Sequence, residues 1–273
     1  MSHQKLTFIG SGNMASSLIG GLLTNGYQPS NITACDIDDD KLISLSQQFG
    51  IATTTDSSAA VTTADIVILS VKPQVMQLVC EQLAGNPQIS DSLFISIAAG
   101  IKEQSIDHWL GGNQAIVRCM PNTPALVQLG ATGLYANSRV NNAQKSAAEA
   151  ILGAVGITVW IDQESALDAV TAISGSGPAY FFYFIELLQQ AGENLGLSKD
   201  IAALLARQTA LGAATMAQQA DVVELRSQVT SPGGTTEKAI VSFQQNGLAI
   251  LVEKATEAAR NRAIELAQKA GKQ

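Results

Sequence analysis

The chain has 273 residues, of which 46% are hydrophobic and 14% charged, where an ordinary soluble domain carries about 25% charged residues. Its 16 basic and 23 acidic residues leave a formal net charge of -7, which argues against a nucleic-acid binder, since such a protein meets phosphates with a basic face. A small anionic ligand held by backbone amides needs no such charge. The histidines, His3 and His108, stand apart from any metal-like cluster. Cys35, Cys80 and Cys119 are odd in number and widely spaced, so neither a disulfide framework nor a thiolate zinc site is expected. Free thiols that fill the core, in a cytoplasmic protein, are expected instead. The amino end lacks a strongly basic segment, and Gly10, Gly12, Asn13, Ser16 and Ser17 interrupt its apolar part, unlike a signal peptide. Residues 151–161 are too short to span a bilayer. The length allows two domains or one large one.

Residues 5–9 read as a first strand, followed at once by Gly10-Ser11-Gly12-Asn13-Met14-Ala15. Residues 15–23 then read as a helix, ending at Asn25-Gly26, where glycine can take the left-handed position. A second strand at 31–35 and a helix at 40–49 come next. Residues 67–71 are nearly continuous apolar and β-branched, as in a strand buried on both faces of a parallel sheet. Residues 93–97, 114–118 and 157–161 add further strands. Strands separated by helices of about ten residues indicate a doubly wound, Rossmann-like α/β domain over residues 1–162.

From residue 163 to 273 the chain has helical length and period, with helices predicted at 182–195, 199–218, 235–246 and 248–270. The second is rich in alanine and apolar nearly all round, with Arg207 its only interior charge. A helix without a solvent face is covered by something. In so short a segment a second subunit is the economical cover, the alternative being the core of a monomer.

Gly10-x-Gly12-x-x-Ala15 lies between a strand and a helix. In that setting Gly10 permits the tight turn, Gly12 lets a pyrophosphate approach the backbone, and Ala15 allows the helix to pack on the strand. Asp36, 24 residues beyond Gly12, is placed to accept from ribose hydroxyls and so to favour NAD. The same acidic turn also reads as a helix start capped by Asp38 or Asp39. Val71-Lys72-Pro73-Gln74, Ala98-Ala99-Gly100 and Met120-Pro121-Asn122-Thr123-Pro124 follow strands, where open α/β sheets bind ligands. Lys72 reads either as a cofactor or carboxylate contact or as a solvated surface group, and the Asn122 loop either as a ligand site or as a structural turn. The helical half adds Ser174-Gly175-Ser176-Gly177-Pro178-Ala179-Tyr180 and Ser231-Pro232-Gly233-Gly234-Thr235-Thr236-Glu237. Glycines before Thr-Thr-Glu offer free amides, two hydroxyls and a helix dipole to a carboxylate, although a cap by Ser231 or Thr235 explains the segment too.

In this order and company, the motifs resemble the pyrroline-5-carboxylate reductase family over nearly the whole chain. Phe8-Ile9-Gly10-Ser11-Gly12-Asn13-Met14-Ala15 is similar to its dinucleotide loop. Val71-Lys72-Pro73, Ser96-Ile97-Ala98-Ala99-Gly100 and Met120-Pro121-Asn122-Thr123-Pro124 resemble its nicotinamide-side loops. Ser231-Pro232-Gly233-Gly234-Thr235-Thr236 resembles its most distinctive motif.

The resemblance implies hydride transfer from NADPH or NADH to the imine carbon of L-1-pyrroline-5-carboxylate, giving L-proline. It implies that the groups around Ser231, Gly233, Gly234 and Thr235 hold the substrate carboxylate, and that the Thr236 hydroxyl orients the imine at its nitrogen. It further implies an intertwined homodimer through the C-terminal helices, or a decamer of five dimers; from charge, cysteine spacing and apolar run length, no metal, nucleic acid or membrane is expected. The chain departs from many members at Cys35-Asp36-Ile37-Asp38, where NADPH-preferring relatives have a small polar or basic patch. It departs again at Gln219-Ala220-Asp221-Val222-Val223-Glu224-Leu225, where a histidine and proline are common. A reductase of the β-hydroxyacid dehydrogenase type would carry a lysine on the helix after the second glycine motif, and residues 174–197 contain none. A non-catalytic dinucleotide-binding protein would need only the first half.

Overall fold

The structure is a computed structural model that describes residues 4–270, side chains at positions 269 and 270 excepted. His3 lies outside the described residues. The chain runs β1 (Leu6–Ile9), α1 (Asn13–Thr24), β2 (Ile32–Cys35), α2 (Asp39–Phe49), β3 (Ala52–Thr54), α3 (Ser57–Val61), β4 (Ile66–Leu69), α4 (Pro73–Leu83) and β5 (Leu93–Ser96). It continues with α5 (Glu103–Trp109), β6 (Ala115–Met120), β7 (Gly130–Ala136), α6 (Asn142–Gly153) and β8 (Gly156–Trp160). The remainder is helical: α7 (Leu167–Val170), α8 (Gly177–Asn194), α9 (Lys199–Ala217), α10 (Val222–Gln228), α11 (Thr235–Gln245) and α12 (Leu248–Ala270).

The strands form one sheet in the order β3-β2-β1-β4-β5-β6-β7-β8, whose first six follow the dinucleotide-binding arrangement. Neighbours are parallel except β6 and β7, which pair antiparallel with Met120 opposite Gly133. The short connection between them, a 3-10 turn at Thr123–Val127 ended by Gln128 at φ 59°, allows that reversal. Alternate strand residues feed two cores. Leu6, Phe8, Ile66 and Ile68 pack with Leu18, Ile19 and Leu22 of α1 on one face. Ile9, Val67, Leu69 and Phe94 pack with Met76, Cys80 and Leu83 of α4 on the other. Burying each such Leu, Ile or Phe contributes about 1.5–3 kcal/mol. Apolar residues at 15, 18, 19 and 22 give α1 its inward stripe. Gly21 completes that contact, because a Cβ there would stand 2.5 Å from Val155 Cγ1.

The described chain divides into two compact units, one containing the residues through Ser176 and those from Ala259 onward, the other Gly177–Ala258. Within the second unit, α8 and α9 pack closely where Gly192 meets Ala202, and Phe184 and Phe243 bring α8 to α11 with ring centroids 6.3 Å apart. Only Gly177, Ala202 and Ala206 of this unit are buried. Phe181, Phe182 and Leu204 are 71%, 66% and 62% exposed. The apolar α9 is therefore not the core of this unit in a single chain. Among the described residues no helix is long and apolar enough to cross a membrane.

The three cysteines are free and buried. Burial raises the Cys35 thiol to about 11 and Cys80 to about 12, so both stay protonated as core side chains.

Candidate active site

The turn from β1 to α1 is built on a backbone that requires glycine. Gly10 sits at φ 99°, and a Cβ there would lie 2.6 Å from the Ser70 carbonyl oxygen. Its N–H donates to the Cys35 carbonyl at 2.7 Å, while the Ser70 hydroxyl donates to the Gly10 carbonyl at 2.6 Å. Gly12 opens α1 without a side-chain cap, and a Cβ on it would meet nothing within 4 Å. Among the described residues the amides of Gly12, Asn13, Met14 and Ala15 have no acceptor. An open cradle of free N–H groups at the positive end of a helix fits a pyrophosphate.

Asp36 follows β2, and its carboxylate is bound by protein. Oδ2 accepts from both the N–H and the hydroxyl of Ser11 at 2.8 Å, and Oδ1 accepts from the Asp38 N–H at 3.1 Å. Partial burial opposes its charge, but the Ser11 bonds, the Asp38 amide and Lys41 outweigh it and lower its pKa. Asp38 caps α2 by accepting from the Lys41 N–H, so the acidic turn serves as a helix start as well.

The other candidate loops also follow strand ends. β4 ends at Leu69, which leaves Val71 in the loop instead of the strand; Lys72 is exposed and precedes Pro73, the first residue of α4. Ala98 is buried and Ala99 exposed. Gly100 adopts φ 76°, with its α-carbon facing the backbone of Ala267 on α12. Asn122 is buried with both ends of its amide bonded: Nδ2 donates to the Ser174 carbonyl at 3.0 Å, and Oδ1 accepts from the Ala131 N–H at 2.9 Å. Its backbone N–H has no acceptor among the described residues. The glycines at Ser174-Gly175-Ser176-Gly177 make no open loop. Thr171–Gly175 is a π-helical turn continuing α7, and Gly175 has no Cβ because one would lie 2.6 Å from the Met120 methyl.

In the second unit, Ser231-Pro232-Gly233-Gly234 forms a turn closed by the Gly234 N–H to the Ser231 carbonyl at 3.0 Å. Proline at its second position and Gly233 at φ 74° at its third match a type II turn. Gly234 then opens α11 with no side-chain cap, so neither Ser231 nor Thr235 caps it. Glu237 instead accepts from the Gly233 N–H at 2.8 Å. The amides of Thr235, Thr236 and Glu237 have no acceptor among the described residues, and Thr236 is half-buried. This end of the helix can receive a carboxylate.

A charged cluster lies beside β6. Arg118, 8% exposed, pairs through Nη1 with Glu164 Oε1 at 2.6 Å. The same oxygen accepts from the Glu103 N–H at 2.6 Å, and Glu103 Oε2 accepts from Asn137 at 3.3 Å. Burial raises the pKa of Glu103, and Glu164 and Asp107 push it further against the Asn137 bond and Arg118. Burial likewise raises Asp168, Glu164 adding to it, while Arg118, Arg260 and Lys102 oppose the rise.

Comparison with known proteins decides the family. Residues 164–266 match the family model described as pyrroline-5-carboxylate reductase dimerisation, and residues 5–100 match one described as NADP oxidoreductase coenzyme F420-dependent. The chain is 51% identical to a pyrroline-5-carboxylate reductase of Pseudomonas aeruginosa, over 99% of this chain and 100% of that protein. It is 44% identical to one from Vibrio alginolyticus, over 97% and 98%. The chain belongs to the pyrroline-5-carboxylate reductase family. Among solved structures it is similar to a Coxiella burnetii member, with TM-score 0.93 and 46% identity over 97% of this chain and 99% of that one. A Plasmodium falciparum pyrroline carboxylate reductase with NADP bound gives TM-score 0.85 and 31% identity over 98% and 99%.

Within this family member, the sequence located the glycine turn, the strand-end loops and the Ser231–Thr236 turn. It missed Ser11 as the partner of Asp36, and it missed the Arg118 cluster. Glu103, Arg118, Glu164 and Asp168 follow no motif, and only the sheet and α7 bring them together.

The raised carboxyls of Glu103 and Asp168 set a direction for stability against pH. Each binds its proton more tightly folded than unfolded, so its contribution is present at low pH and lost as pH rises through the raised value. A Glu103→Gln, Asp168→Asn variant should therefore gain thermal stability relative to wild type as pH rises from roughly 4 to 7. Paired melts across that range check it; a constant difference would exclude these carboxyls as the cause.

Proposed function

We infer that this protein reduces L-1-pyrroline-5-carboxylate to L-proline, using NADPH or NADH. The observation that carries this reading is the uncapped start of α11 at Thr235 and Thr236, in a family member that also holds an open dinucleotide turn at Gly10 and Gly12. When bound, the reduced nicotinamide supplies the hydride. Gly10, Gly12, Asn13, Met14 and Ala15 hold the pyrophosphate, and Asp36 fixes the turn through Ser11 beside the adenosine ribose. Val71, Lys72, Pro73, Ala98, Ala99, Gly100 and the backbone of Asn122 receive the nicotinamide side.

Ser231, Gly233 and Gly234 form the turn that presents the substrate carboxylate to the free first amides of α11, beginning at Thr235. Thr236 is the catalytic residue of this reading: its hydroxyl hydrogen-bonds the ring nitrogen and orients the imine. The imine carbon gains a hydride, the C=N π pair moves onto nitrogen, and nitrogen carries the proton that makes the secondary amine. A protonated imine is already electrophilic, so orientation rather than strong acid catalysis is what the residues must supply. α8 contains no lysine to act on a carbonyl, which disfavours the β-hydroxyacid type.

The family match from residue 164 supports a functional division near residue 162, with 163–273 the substrate and dimerisation part. The apolar side chains left exposed on α8 and α9 support a homodimer through these helices. A decamer of five dimers is the larger assembly of the same reading. Free buried cysteines support a cytoplasmic location.

Thr236→Ala should lower kcat/KM for pyrroline-5-carboxylate about 10- to 100-fold while leaving cofactor affinity unchanged. Steady-state kinetics and cofactor titration check it, and unaltered kinetics would remove Thr236 from the reaction. Asp36→Asn keeps an acceptor for Ser11 but loses the charge that repels a 2′-phosphate. The NADPH:NADH ratio of kcat/KM should rise about tenfold, whereas damage to the turn would lower both cofactors alike. Analytical ultracentrifugation should find a dimer or a multiple of it, and a monomer at micromolar concentration would contradict the interface.

A further inference from the structure

Glu164 Oε1 accepts two hydrogen bonds from two different parts of the first unit. One comes from Arg118 Nη1 and the other from the Glu103 N–H, both at 2.6 Å. Arg118 lies two residues before Met120-Pro121-Asn122, and Glu103 lies three residues after Gly100. A single carboxylate oxygen thus sets the spacing between the loops at 98–100 and 120–122. The segment that carries Glu164 is fastened again ten residues on, where the Ser174 carbonyl accepts from Asn122 and Gly175 receives the Met120 methyl.

The other ion pairs among the described residues, Lys41–Asp38 and Arg262–Glu265, join exposed side chains three positions apart. Arg118–Glu164 alone among them crosses between elements and is mostly buried. A buried ion pair is poor value as a source of stability, since a packed apolar pair of similar volume often serves as well. What an apolar pair lacks is direction. Two donors converging on one oxygen fix both distance and angle.

We propose that Glu164 is a positioning residue for hydride transfer, holding the 98–100 and 120–122 loops at the separation the nicotinamide ring requires. This rests on the reading of those loops as the nicotinamide side. Its effect is separable from the glycine turn, which receives the rest of the dinucleotide.

The test compares Glu164→Ala, Glu164→Gln and Arg118→Lys with wild type for kcat, for affinity toward the reduced dinucleotide, and for affinity toward ADP-ribose and its 2′-phosphate, which lack nicotinamide. Glu164→Ala should lower kcat about 10- to 100-fold and dinucleotide affinity about tenfold, with the ADP-ribose ligands within about twofold of wild type. Glu164→Gln still accepts from both donors and should recover most of the loss. Equal weakening of both ligand classes, or a lower Tm with unchanged kcat, would overturn the proposal. If Glu164→Ala does not fold, Arg118→Lys decides. Lower kcat with ADP-ribose binding intact supports the role, and wild-type kinetics overturn it. Failure of the dinucleotide reading is distinct, because wild-type protein would then bind neither ligand class.

Discussion

The carboxyl ends of β1, β2 and β4 meet at Gly10, whose φ of 99° places its α-carbon against the Ser70 carbonyl where no side chain fits. Its amide bonds to β2, its carbonyl receives the Ser70 hydroxyl, and its neighbour Ser11 is clasped by Asp36. These bonds tie the ends of β2 and β4 to the same turn, so the direction of α1 follows from sheet register. The free amides at Gly12 to Ala15 point where they do because that register places the turn. An anion site made this way needs no arginine, and a chain with 14% charged residues has few to offer.

Charge is also sparse on α8 and α9, for a different physical reason. In an ordinary soluble helix bundle the apolar stripes face inward and charges cover the outside. Here α9 buries only Ala202 and Ala206 within its own chain, while Ile201, Leu204, Leu205, Leu211 and Met216 are exposed. Charged residues on those faces would have to be desolvated on association. A small buried cluster of charge fixes geometry instead around Arg118, whose partner Glu164 accepts from the Arg118 guanidinium and from the Glu103 N–H through one oxygen.

Elements with strong local signals were legible in the sequence. The apolar runs at Ile66–Leu69 and Leu93–Ser96 are buried strands, and Leu248–Ala270 is helical over the residues its pattern marks. β3, with sequence ATT, and β7, with sequence GATGLYA, were not anticipated. Glycine and alanine carry little strand preference, and both strands exist because neighbouring strands offer hydrogen-bonding edges. The Ser174-Gly175-Ser176-Gly177 stretch misled for a related reason. Glycine there makes room for Met120 in a helical turn and does not mark a loop.

The sequence by itself determined the α/β class, the glycine turn, the Ser231–Thr236 turn and the family to which they belong. Each depends on residues adjacent in the chain, where backbone conformation, capping and hydrophobic period are local properties. Tertiary structure alone decided that Asp36 binds Ser11, that Asn122 bonds to Ser174 and Ala131, and that Glu164 joins Arg118 to the start of α5. Those pairings connect residues separated by between 9 and 61 positions. No periodicity encodes such a distance; it appears only when the sheet sets the order of its strands and packs α7 beside β6.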